Sequence, residues 1–283
     1  MQKKIETVST LLDALPYIKE FNKQIVVVKY GGSAQETPEL KEKFAQDIMM
    51  MYLVGIRPVV VHGGGKQISS MLDALRLESR FIDGQRVTTK EVMRVVEMVL
   101  SGEINNEIVS LLNFHGAKAI GISGKDAGFI TARAKDFAKF GLTGNITSIK
   151  SEVVLKLIDE GFIPVIAPIA ASSELGHPGF NINADLCASF VAKSIGAKKI
   201  IFLTDTSGVL DENKELFSSL TKAKIEELKE SGVIHGGMVP KVDACLEAVD
   251  GGVSKAHIID GRIEHSLLLE LFTSVGVGTE ITA

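Results

Sequence analysis

The sequence predicts an α/β fold, a three-layer sandwich with helices on both faces of a mainly parallel central sheet. Apolar runs of strand length recur along the 283 residues, and most are separated by longer stretches with a helical period. The runs are rich in β-branched residues, which is typical of strands buried on both faces. The predicted strands are Ile25–Val28, Val59–Val61, Ala117–Ile122, Ile163–Ala167, Lys199–Leu203 and Ala256–Ile259.

An amphipathic helix is predicted before the first strand. Ile5, Val8, Leu12 and Leu15 lie roughly on one of its faces, and Pro16 should bend or end it. A helix outside the core packs either on its own domain or on a second subunit, and the sequence leaves both open. Binding to a membrane surface is disfavoured because the polar face is not strongly basic.

Four further helices are predicted between and after the strands. The first has Thr37 as its cap and Pro38 in its first turn, followed by apolar residues at spacings of three and four. The other three are expected to begin at Thr89, to run from Asp185 to a stop at Gly196, and to begin at Pro240.

A domain boundary is predicted near the turn His177-Pro178-Gly179, after the run of small residues Ala170–Ser173. The predicted units are an N-terminal helix (residues 1–23), an N-terminal lobe (24–177) and a C-terminal lobe (178–283). A single sheet that continues through the boundary is the alternative.

The composition disfavours several classes of protein. The formal net charge is −4, whereas nucleic-acid-binding domains are usually basic. No apolar run reaches about 18 residues, and the N-terminus lacks the apolar stretch of a signal peptide, so no membrane span is expected. Cys187 and Cys245 are interpreted as small core residues in a reducing cytosol. The histidines lack metal-ligand spacing, and no Gly-x-Ser-x-Gly elbow occurs.

Polar residues fall at the carboxyl ends of the predicted strands, where parallel α/β sheets bind ligands. They are Lys29, His62, Asp205 and Asp260. Glycines follow the first two strands directly, and bare backbone N–H groups can approach an anion there. A lysine beside such a loop is what a phosphoryl group in transfer needs. The Walker A and GxGxxG patterns are both absent, so the loops predict an anion cradle of another type.

Four other segments carry candidate binding groups, each with a plainer alternative. Arg86 precedes a helix cap and suits a carboxylate, or it is a surface arginine. Asn181, Asn183 and Asp185 alternate on one side of an extended segment, although Asp185 alone would cap the next helix. Asp205–Leu210 suits a nucleotide pocket, or it is a plain turn. Lys241 lies in the first turn of a predicted helix, where its charge opposes the helix dipole. A bound anion would explain this position, or the lysine is simply solvated.

Six motifs follow one another along the chain: Lys29-Tyr30-Gly31-Gly32, His62-Gly63-Gly64-Gly65, Gly84-Gln85-Arg86-Val87-Thr88, Asn181-Ile182-Asn183-Ala184-Asp185, Asp205-Thr206-Ser207-Gly208-Val209 and Gly237-Met238-Val239-Pro240-Lys241. Each motif alone is weakly specific. Together, in this order and over almost the whole chain, they resemble the amino-acid kinase superfamily and, within it, the N-acetylglutamate kinases.

The resemblance implies ATP-dependent phosphorylation, with Mg²⁺, of the γ-carboxylate of N-acetyl-L-glutamate, a step of arginine biosynthesis. By the family pattern, Lys29 and Lys241 stabilise the transferring phosphoryl group, and Asp185 organises the two lysines. The N-terminal lobe then holds the acetylated substrate and the dimer core, and the C-terminal lobe holds ATP. The implied substrate-binding residues are Gly64, Gly65, Arg86, Asn181 and Asn183. The implied nucleotide-binding residues are Gly31, Gly32, Asp205, Gly208 and Leu210, and no metal-ligating residue is implied.

The N-terminal helix and the tail Ile263–Ala283 resemble the arginine-sensitive branch of this family. In that branch an extra N-terminal helix interlaces dimers into a hexamer. The resemblance implies a trimer of dimers that is located in the cytoplasm. It also implies inhibition by L-arginine bound between the N-terminal helix and the C-terminal lobe.

Rival functions remain within and outside this class. Kinases of carbamate, glutamate, aspartate or UMP are disfavoured by the Asn181–Asp185 segment, and a dehydrogenase by the missing dinucleotide fingerprint. A non-catalytic arginine sensor on the same fold would be expected to lose Lys29, Asp185 or Lys241, and all three are present.

Overall fold

The computed structural model describes the backbone of residues 1–274 and 276–283, with the side chains of all of these except positions 2–4, 6, 7, 10 and 33. The strands in this part of the chain are β1 (Ile25–Tyr30), β2 (Arg57–His62), β3 (Phe81–Ile82), β4 (Gln85–Arg86), β5 (Ala119–Ser123), β6 (Ile130–Ala134), β7 (Gly144–Ile149), β8 (Ile163–Ala167), β9 (Ile169–Ala170), β10 (Phe180–Asn181), β11 (Lys199–Thr204), β12 (Ser219–Thr221), β13 (Lys255–Asp260) and β14 (Gly278–Thr282).

Helices separate most of these strands, in the alternation that the sequence predicts. The α-helices are α1 (Gln2–Asp13), α2 (Leu15–Phe21), α3 (Pro38–Leu53), α4 (Gly65–Ala74), α5 (Lys90–Glu97), α6 (Asn105–Phe114), α7 (Phe137–Phe140), α8 (Ser151–Asp159), α9 (Ala184–Ser194), α10 (Lys222–Glu230), α11 (Val239–Asp250) and α12 (Ser266–Phe272). Short 3₁₀ turns lie at Gly32–Gln35, Asp126–Gly128 and Gly236–Met238, and a π-helical segment, Met98–Ile104, joins α5 to α6.

All six predicted strands belong to one eight-stranded sheet in the order β12-β14-β13-β11-β1-β2-β8-β5. The six run parallel to one another, and β14 pairs with β13 antiparallel. Helices α9 and α11 pack on each other and on strands of the sheet, as do α3 and α6. The predicted α/β fold with a mainly parallel central sheet is confirmed.

The burial of the strands explains why β-branched runs form them. Every residue of β8 and β11 is buried, as are the last five residues of β1 and β2. Because β13, β11, β1 and β2 are parallel neighbours, their carboxyl ends meet at one edge of the sheet. Lys29, His62 and Asp260 lie in the last two residues of their strands, and Asp205 follows β11 directly.

The sheet passes through the predicted domain boundary. The strands β1, β2, β5 and β8 precede residue 178, the strands β11–β14 follow it, and β1 pairs with β11. The two halves therefore share one continuous hydrogen-bonded sheet, and the division into lobes stays a prediction.

The N-terminal segment forms two helices instead of one. Helix α1 ends at Asp13 and α2 begins at Leu15, with Pro16 in its first turn, so the predicted interruption is confirmed. Phe21 at the end of α2 is buried against the sheet domain, and α2 contacts α12. Helix α1 instead presents apolar side chains that are each more than half exposed, namely Ile5, Val8, Leu11 and Leu12.

Both cysteines lie in the core, and the length and apolarity of the helices bear on whether the chain crosses a membrane. Cys187 in α9 and Cys245 in α11 are fully buried and free, as predicted for core residues. No helix in the described part of the chain is long and apolar enough to cross a membrane.

Gly278 provides a test of the β13–β14 pairing. A Cβ atom at this position would lie 2.1 Å from the backbone oxygen of Ile258, whereas nothing lies within 4 Å of one added at Gly102. We expect Gly278→Ala to lower the free energy of unfolding by about 2 kcal/mol, because backbone must move to admit the methyl group. Gly102→Ala is the matched control and should change it by less than about 1 kcal/mol. Equal effects in urea unfolding would contradict the tight pairing.

Candidate active site

A cavity of about 240 Å³ opens at the carboxyl ends of β1 and β2. The glycine loops that follow these two strands form part of its wall, and the start of α9 forms another part. The structure therefore brings together eight of the residues that the sequence analysis singled out: Lys29, Gly32, Gly64, Gly65, Arg86, Asn181, Asn183 and Asp185.

Asp185 joins two lysines from distant parts of the chain. The Nζ atom of Lys29 lies 2.9 Å from one carboxylate oxygen of Asp185, and the Nζ atom of Lys241 lies 3.7 Å from the other. Burial alone would raise the pKa of Asp185, but the two ammonium charges outweigh it and hold the pKa below its ordinary value. The carboxylate is therefore ionised, and the cluster of three groups carries a net positive charge.

The start of α9 corrects one detail of the sequence reading. The extended segment ends at Asn181, and Asn183 is the cap, accepting a hydrogen bond from the N–H of Leu186 at 3.0 Å. Asp185 is not the cap. It lies one residue inside the helix, where a carboxylate also interacts favourably with the helix dipole, and its oxygens are free to face the lysines.

Gly31 has a packing role beside Lys29. A Cβ atom on Gly31 would lie 3.0 Å from the Nζ atom of Lys29, so a side chain there would displace the ammonium group. The absence of a side chain at residue 31 thus allows Lys29 to fold back over its own loop and reach Asp185.

Arg86 is held rigidly at the wall of the cavity. It is only 6% exposed, and burial lowers its pKa. Its guanidinium donates to the hydroxyls of Ser79 and Ser69 and to the carbonyl oxygen of Gly65, at 2.6, 3.0 and 2.9 Å. The group also lies over the ring of Phe81, 4.6 Å from its centroid. A cation fixed by so many contacts can bind a carboxylate without losing much conformational freedom.

Asn181 belongs to a hydroxyl network that sequence reasoning missed. Its Nδ2 donates to the Oγ1 of Thr88, which lies 3.0 Å from the Oγ1 of Thr143. Thr143 in turn donates to the carbonyl oxygen of Arg86 at 2.6 Å. Thr143 also lines the cavity, but it lies in none of the six motifs, and nothing in its sequence context distinguishes it.

Among the predicted nucleotide-binding residues, Gly32 lines this cavity, whereas Gly31, Asp205, Gly208 and Leu210 do not. Asp205 follows β11 at the same edge of the sheet as Lys29. Gly208 has φ of 140°, and a Cβ there would lie 2.5 Å from the hydroxyl of Thr279, so packing alone requires a glycine. Leu210 forms an isolated bridge with Leu216.

The site as a whole has the composition of a phosphotransfer centre. Lys29, Arg86, Asn181 and bare glycine backbone line a cavity at the carboxyl edge of a parallel sheet, and Lys241 joins this site through Asp185. In the described part of the chain no group of three or more His, Cys, Asp and Glu side chains could hold a metal ion.

The model of the amino acid kinase family matches residues 24–260, and the chain belongs to this family. Curated relatives named acetylglutamate kinase match over nearly their full length. The protein from Sulfurimonas denitrificans is 78% identical over 100% of both chains, and that from Nitratiruptor is 68% identical over 99% of both. The resemblance drawn from the six motifs is thereby confirmed, and the chain is a kinase.

Solved structures agree with this assignment. N-acetylglutamate synthase from Neisseria gonorrhoeae, complexed with coenzyme A and N-acetyl-glutamate, superposes with a TM-score of 0.87 at 25% identity. The match covers 98% of this chain but only 63% of the synthase. Carbamate kinase from Giardia lamblia shares the fold, with a TM-score of 0.70 at 19% identity over 92% of this chain and 98% of that one.

The Asp185 cluster predicts a large loss of stability when its carboxylate is neutralised. In Asp185→Asn, two ammonium groups face each other without a counter-charge, and breaking such a buried pair should cost about 3 kcal/mol of unfolding free energy. Asp243 on α11 pairs with Lys229 at the surface, so Asp243→Asn is the control and should cost less than about 1 kcal/mol. Urea unfolding at neutral pH measures both. Similar losses of unfolding free energy in the two variants would contradict the conclusion that Asp185 holds the two lysines together.

Proposed function

We propose that this kinase transfers the γ-phosphoryl group of ATP to the γ-carboxylate of N-acetyl-L-glutamate, in the pathway of arginine biosynthesis. The observation that carries the proposal is the pair of lysines held by Asp185, of which Lys29 lines the cavity. The names of the full-length relatives support this substrate. In this proposal the enzyme works in the cytoplasm.

The acceptor explains why the site needs no general base. A γ-carboxylate has an ordinary pKa near 4.3 and is already ionised at neutral pH. The barrier lies in bringing this anion onto a charged phosphoryl group. Position and fixed positive charge lower it. Lys29 and Lys241 supply the charge, and Asp185 keeps both ammonium groups at one place before substrate arrives.

Substrate recognition is proposed to follow from other residues that line the cavity. Arg86 offers a fixed guanidinium to the carboxylate of the substrate that does not react. Asn181 offers an amide to the acetamide group, which is neutral and forms paired donor and acceptor bonds. The backbone N–H groups of Gly64 and Gly65 would then hold the reacting carboxylate near the lysines.

The cavity suits ATP that carries its own Mg²⁺. Asp185 is already engaged by two lysines, so the protein offers cations and N–H donors to phosphate oxygens instead of a set of carboxylate ligands. Mg²⁺ commonly keeps its waters and binds through substrate phosphates. When bound, Mg·ATP supplies the phosphoryl group. Gly31, Gly32 and the segment Asp205–Leu210 would hold the nucleotide.

Removing either lysine tests the phosphotransfer proposal. We expect Lys29→Ala and Lys241→Ala each to lower kcat by roughly 10²-fold or more, the scale for one lost transition-state donor. Formation of ADP is measured in a coupled assay with N-acetyl-L-glutamate, L-glutamate and carbamate as acceptors. Wild-type turnover should require the acetylated substrate. Turnover within threefold of wild type would remove that lysine from the mechanism, and preference for another acceptor would refute the proposed substrate.

A second cavity, of about 520 Å³, is proposed as a site for L-arginine. It lies between α2, which contributes Tyr17, Glu20 and Phe21, and the elements β13, α12 and β14. This is the position expected from the arginine-sensitive branch. The N-acetylglutamate synthase from Neisseria gonorrhoeae has also been solved in complex with L-arginine, and that structure superposes with a TM-score of 0.81 at 25% identity.

Charged groups inside this second cavity suit a ligand with both an acidic and a basic end. Glu270 is buried, with His257 at 2.7 Å and Lys199 at 3.6 Å, and Glu280 lies 3.7 Å from the other nitrogen of His257. Burial lowers the pKa of His257, so its imidazole stays neutral near pH 7. Two carboxylates can bind a guanidinium or an α-ammonium group, and Lys199 can bind an α-carboxylate.

The exposed apolar face of α1 supports the proposed hexamer. In this proposal α1 helices of neighbouring dimers cover one another, which removes apolar side chains from water. Because α2 continues from α1 and borders the second cavity, the same segment would link subunit assembly to arginine binding.

Two deletions separate assembly from ligand binding. Removal of residues 1–22 takes away α1 and the α2 wall of the second cavity, and should give an active dimer insensitive to arginine. Removal of residues 1–13 takes away α1 alone, and should give a dimer that still binds arginine. Light scattering and arginine titration of activity measure both. A hexamer that survives either deletion would refute the role of α1.

A further inference from the structure

A buried polar pair, His62 and Asn105, lies directly behind the glycine loop and has no part in the chemistry proposed above. His62 ends β2 and is 0% exposed, and Asn105 begins α6 and is 4% exposed. Buried polar groups are costly unless they are hydrogen-bonded, and this pair lies among apolar strands and helices. The hydrogen bonds of the pair therefore indicate what it does.

The side-chain amide of Asn105 is fixed in one orientation. Its Nδ2 donates to the backbone oxygen of Val165 in β8 at 2.9 Å and lies 3.1 Å from the Nε2 of His62. Its oxygen occupies the space above Gly121 in β5, only 1.8 Å from the position a Cβ atom would take there. Since the Nδ2 atom must face the Val165 carbonyl, it acts as a donor toward His62 as well.

The orientation of Asn105 decides where His62 carries its proton. The Nε2 atom accepts from Asn105, so the proton of the neutral ring is on Nδ1, which lies 3.0 Å from the carbonyl oxygen of Gly63 and donates to it. Burial lowers the pKa of His62 to about 4, with the Gly63 carbonyl opposing the shift. The neighbouring strand β1 places Tyr30 beside it in register, and burial raises the pKa of that phenol, so it too is neutral near pH 7.

The hydrogen bond to Gly63 fixes the direction of the next N–H group. In a planar trans peptide, the carbonyl of Gly63 and the N–H of Gly64 point in opposite directions. The carbonyl is held toward the buried ring, so the N–H of Gly64 points away from it, and Gly64 lines the catalytic cavity. In the described part of the chain, this N–H donates to no backbone carbonyl.

A wall of apolar side chains limits the loop from another side. A Cβ atom on Gly64 would lie 2.3 Å from the Cδ1 of Ile104 and 2.7 Å from the Cδ2 of Leu100. Both residues belong to the π-helical segment that immediately precedes Asn105. Such segments are frequent at functional sites, and here one supplies both the wall and the start of the helix that carries Asn105.

We propose that Asn105 and His62 are positioning residues that hold the Gly63–Gly64 peptide in the one orientation that presents the Gly64 N–H to the acceptor carboxylate. The chain of contacts runs from Val165 through Asn105 and His62 to the loop. This inference rests on the proposed function, because it is the phosphoryl acceptor that the N–H would bind.

Asn105→Asp tests whether the side chain at residue 105 decides which nitrogen of His62 carries the hydrogen, and the readout is the pH dependence of KM. The introduced carboxylate accepts a hydrogen bond from Nε2–H of His62. At low pH the ring is an imidazolium with hydrogens on both nitrogens, so Nδ1–H still donates to the Gly63 oxygen. When the ring loses one proton as pH rises, it keeps the hydrogen on Nε2, and the bare Nδ1 then faces the Gly63 oxygen. We expect the KM for N-acetyl-L-glutamate to rise by about tenfold between pH 6 and 9 in this variant only, the scale of one lost hydrogen bond to a charged group. The KM for ATP should stay unchanged.

A second variant and a control complete the experiment. His62→Phe keeps the aromatic volume but removes the donor, and should raise the KM for N-acetyl-L-glutamate at every pH. Asn113 lies on the same helix, and its amide bonds to the backbone N and O of Ala119, away from the cavity. Asn113→Asp should therefore leave both KM values and their pH dependence as in wild type. Thermal unfolding confirms that each variant is folded.

The outcomes separate this inference from the proposed function. Wild-type turnover of N-acetyl-L-glutamate in the same assay tests the function alone. If wild type is active but the KM of Asn105→Asp does not depend on pH, or His62→Phe has an unchanged KM, the positioning role is refuted. If Asn105→Asp does not fold, the KM of His62→Phe decides.

Discussion

The carboxylate of Asp185, shared between Lys29 and Lys241, is the interaction on which the site depends. The two lysines are 212 residues apart in sequence, as the difference 241 − 29 shows, and they would repel each other at the distances observed without the charge between them. One lysine comes from the central strand and the other from the first turn of α11. The ion cluster therefore joins the two halves of the chain at the point where an anion would react.

The parallel sheet is what makes this arrangement possible. Because β11, β1 and β2 are adjacent and run in the same direction, their following loops meet at one edge. The loops differ in what fixes them: Gly31 packs under the ammonium of Lys29, whereas Gly63 is bonded by the ring of His62. The same sheet extends to β13 and β14, whose side chains line the second cavity, so both proposed ligands contact one continuous scaffold.

Sequence reasoning predicted the parts of the molecule that have local or periodic signals. The six core strands and the helix caps Thr37 and Thr89 were found because burial on both faces and capping leave clear patterns. The two-stranded ribbons β3–β4, β6–β7 and β9–β10 were not found, because their residues are short runs whose pairing depends on distant partners. The π-helical segment Met98–Ile104 was not predicted either.

The site was predicted to a similar extent, and for similar reasons. Motifs brought Arg86, Asn181 and the lysines together, but the cap of α9 was not predicted: it is Asn183, and not Asp185, for which capping was the plainer alternative. Thr143 and Asn105 were missed because their importance comes only from contacts: one bonds to the Arg86 carbonyl and the other to His62. Nothing in the neighbouring sequence could reveal a hydrogen bond made across the sheet.

The most direct measurement of the central claim is a crystal structure with N-acetyl-L-glutamate and a non-hydrolysable Mg·ATP analogue. The account predicts that the Nζ atoms of Lys29 and Lys241 both lie within hydrogen-bonding distance of the γ-phosphoryl oxygens, with Asp185 between them. A γ-phosphoryl group bound away from both lysines would contradict it.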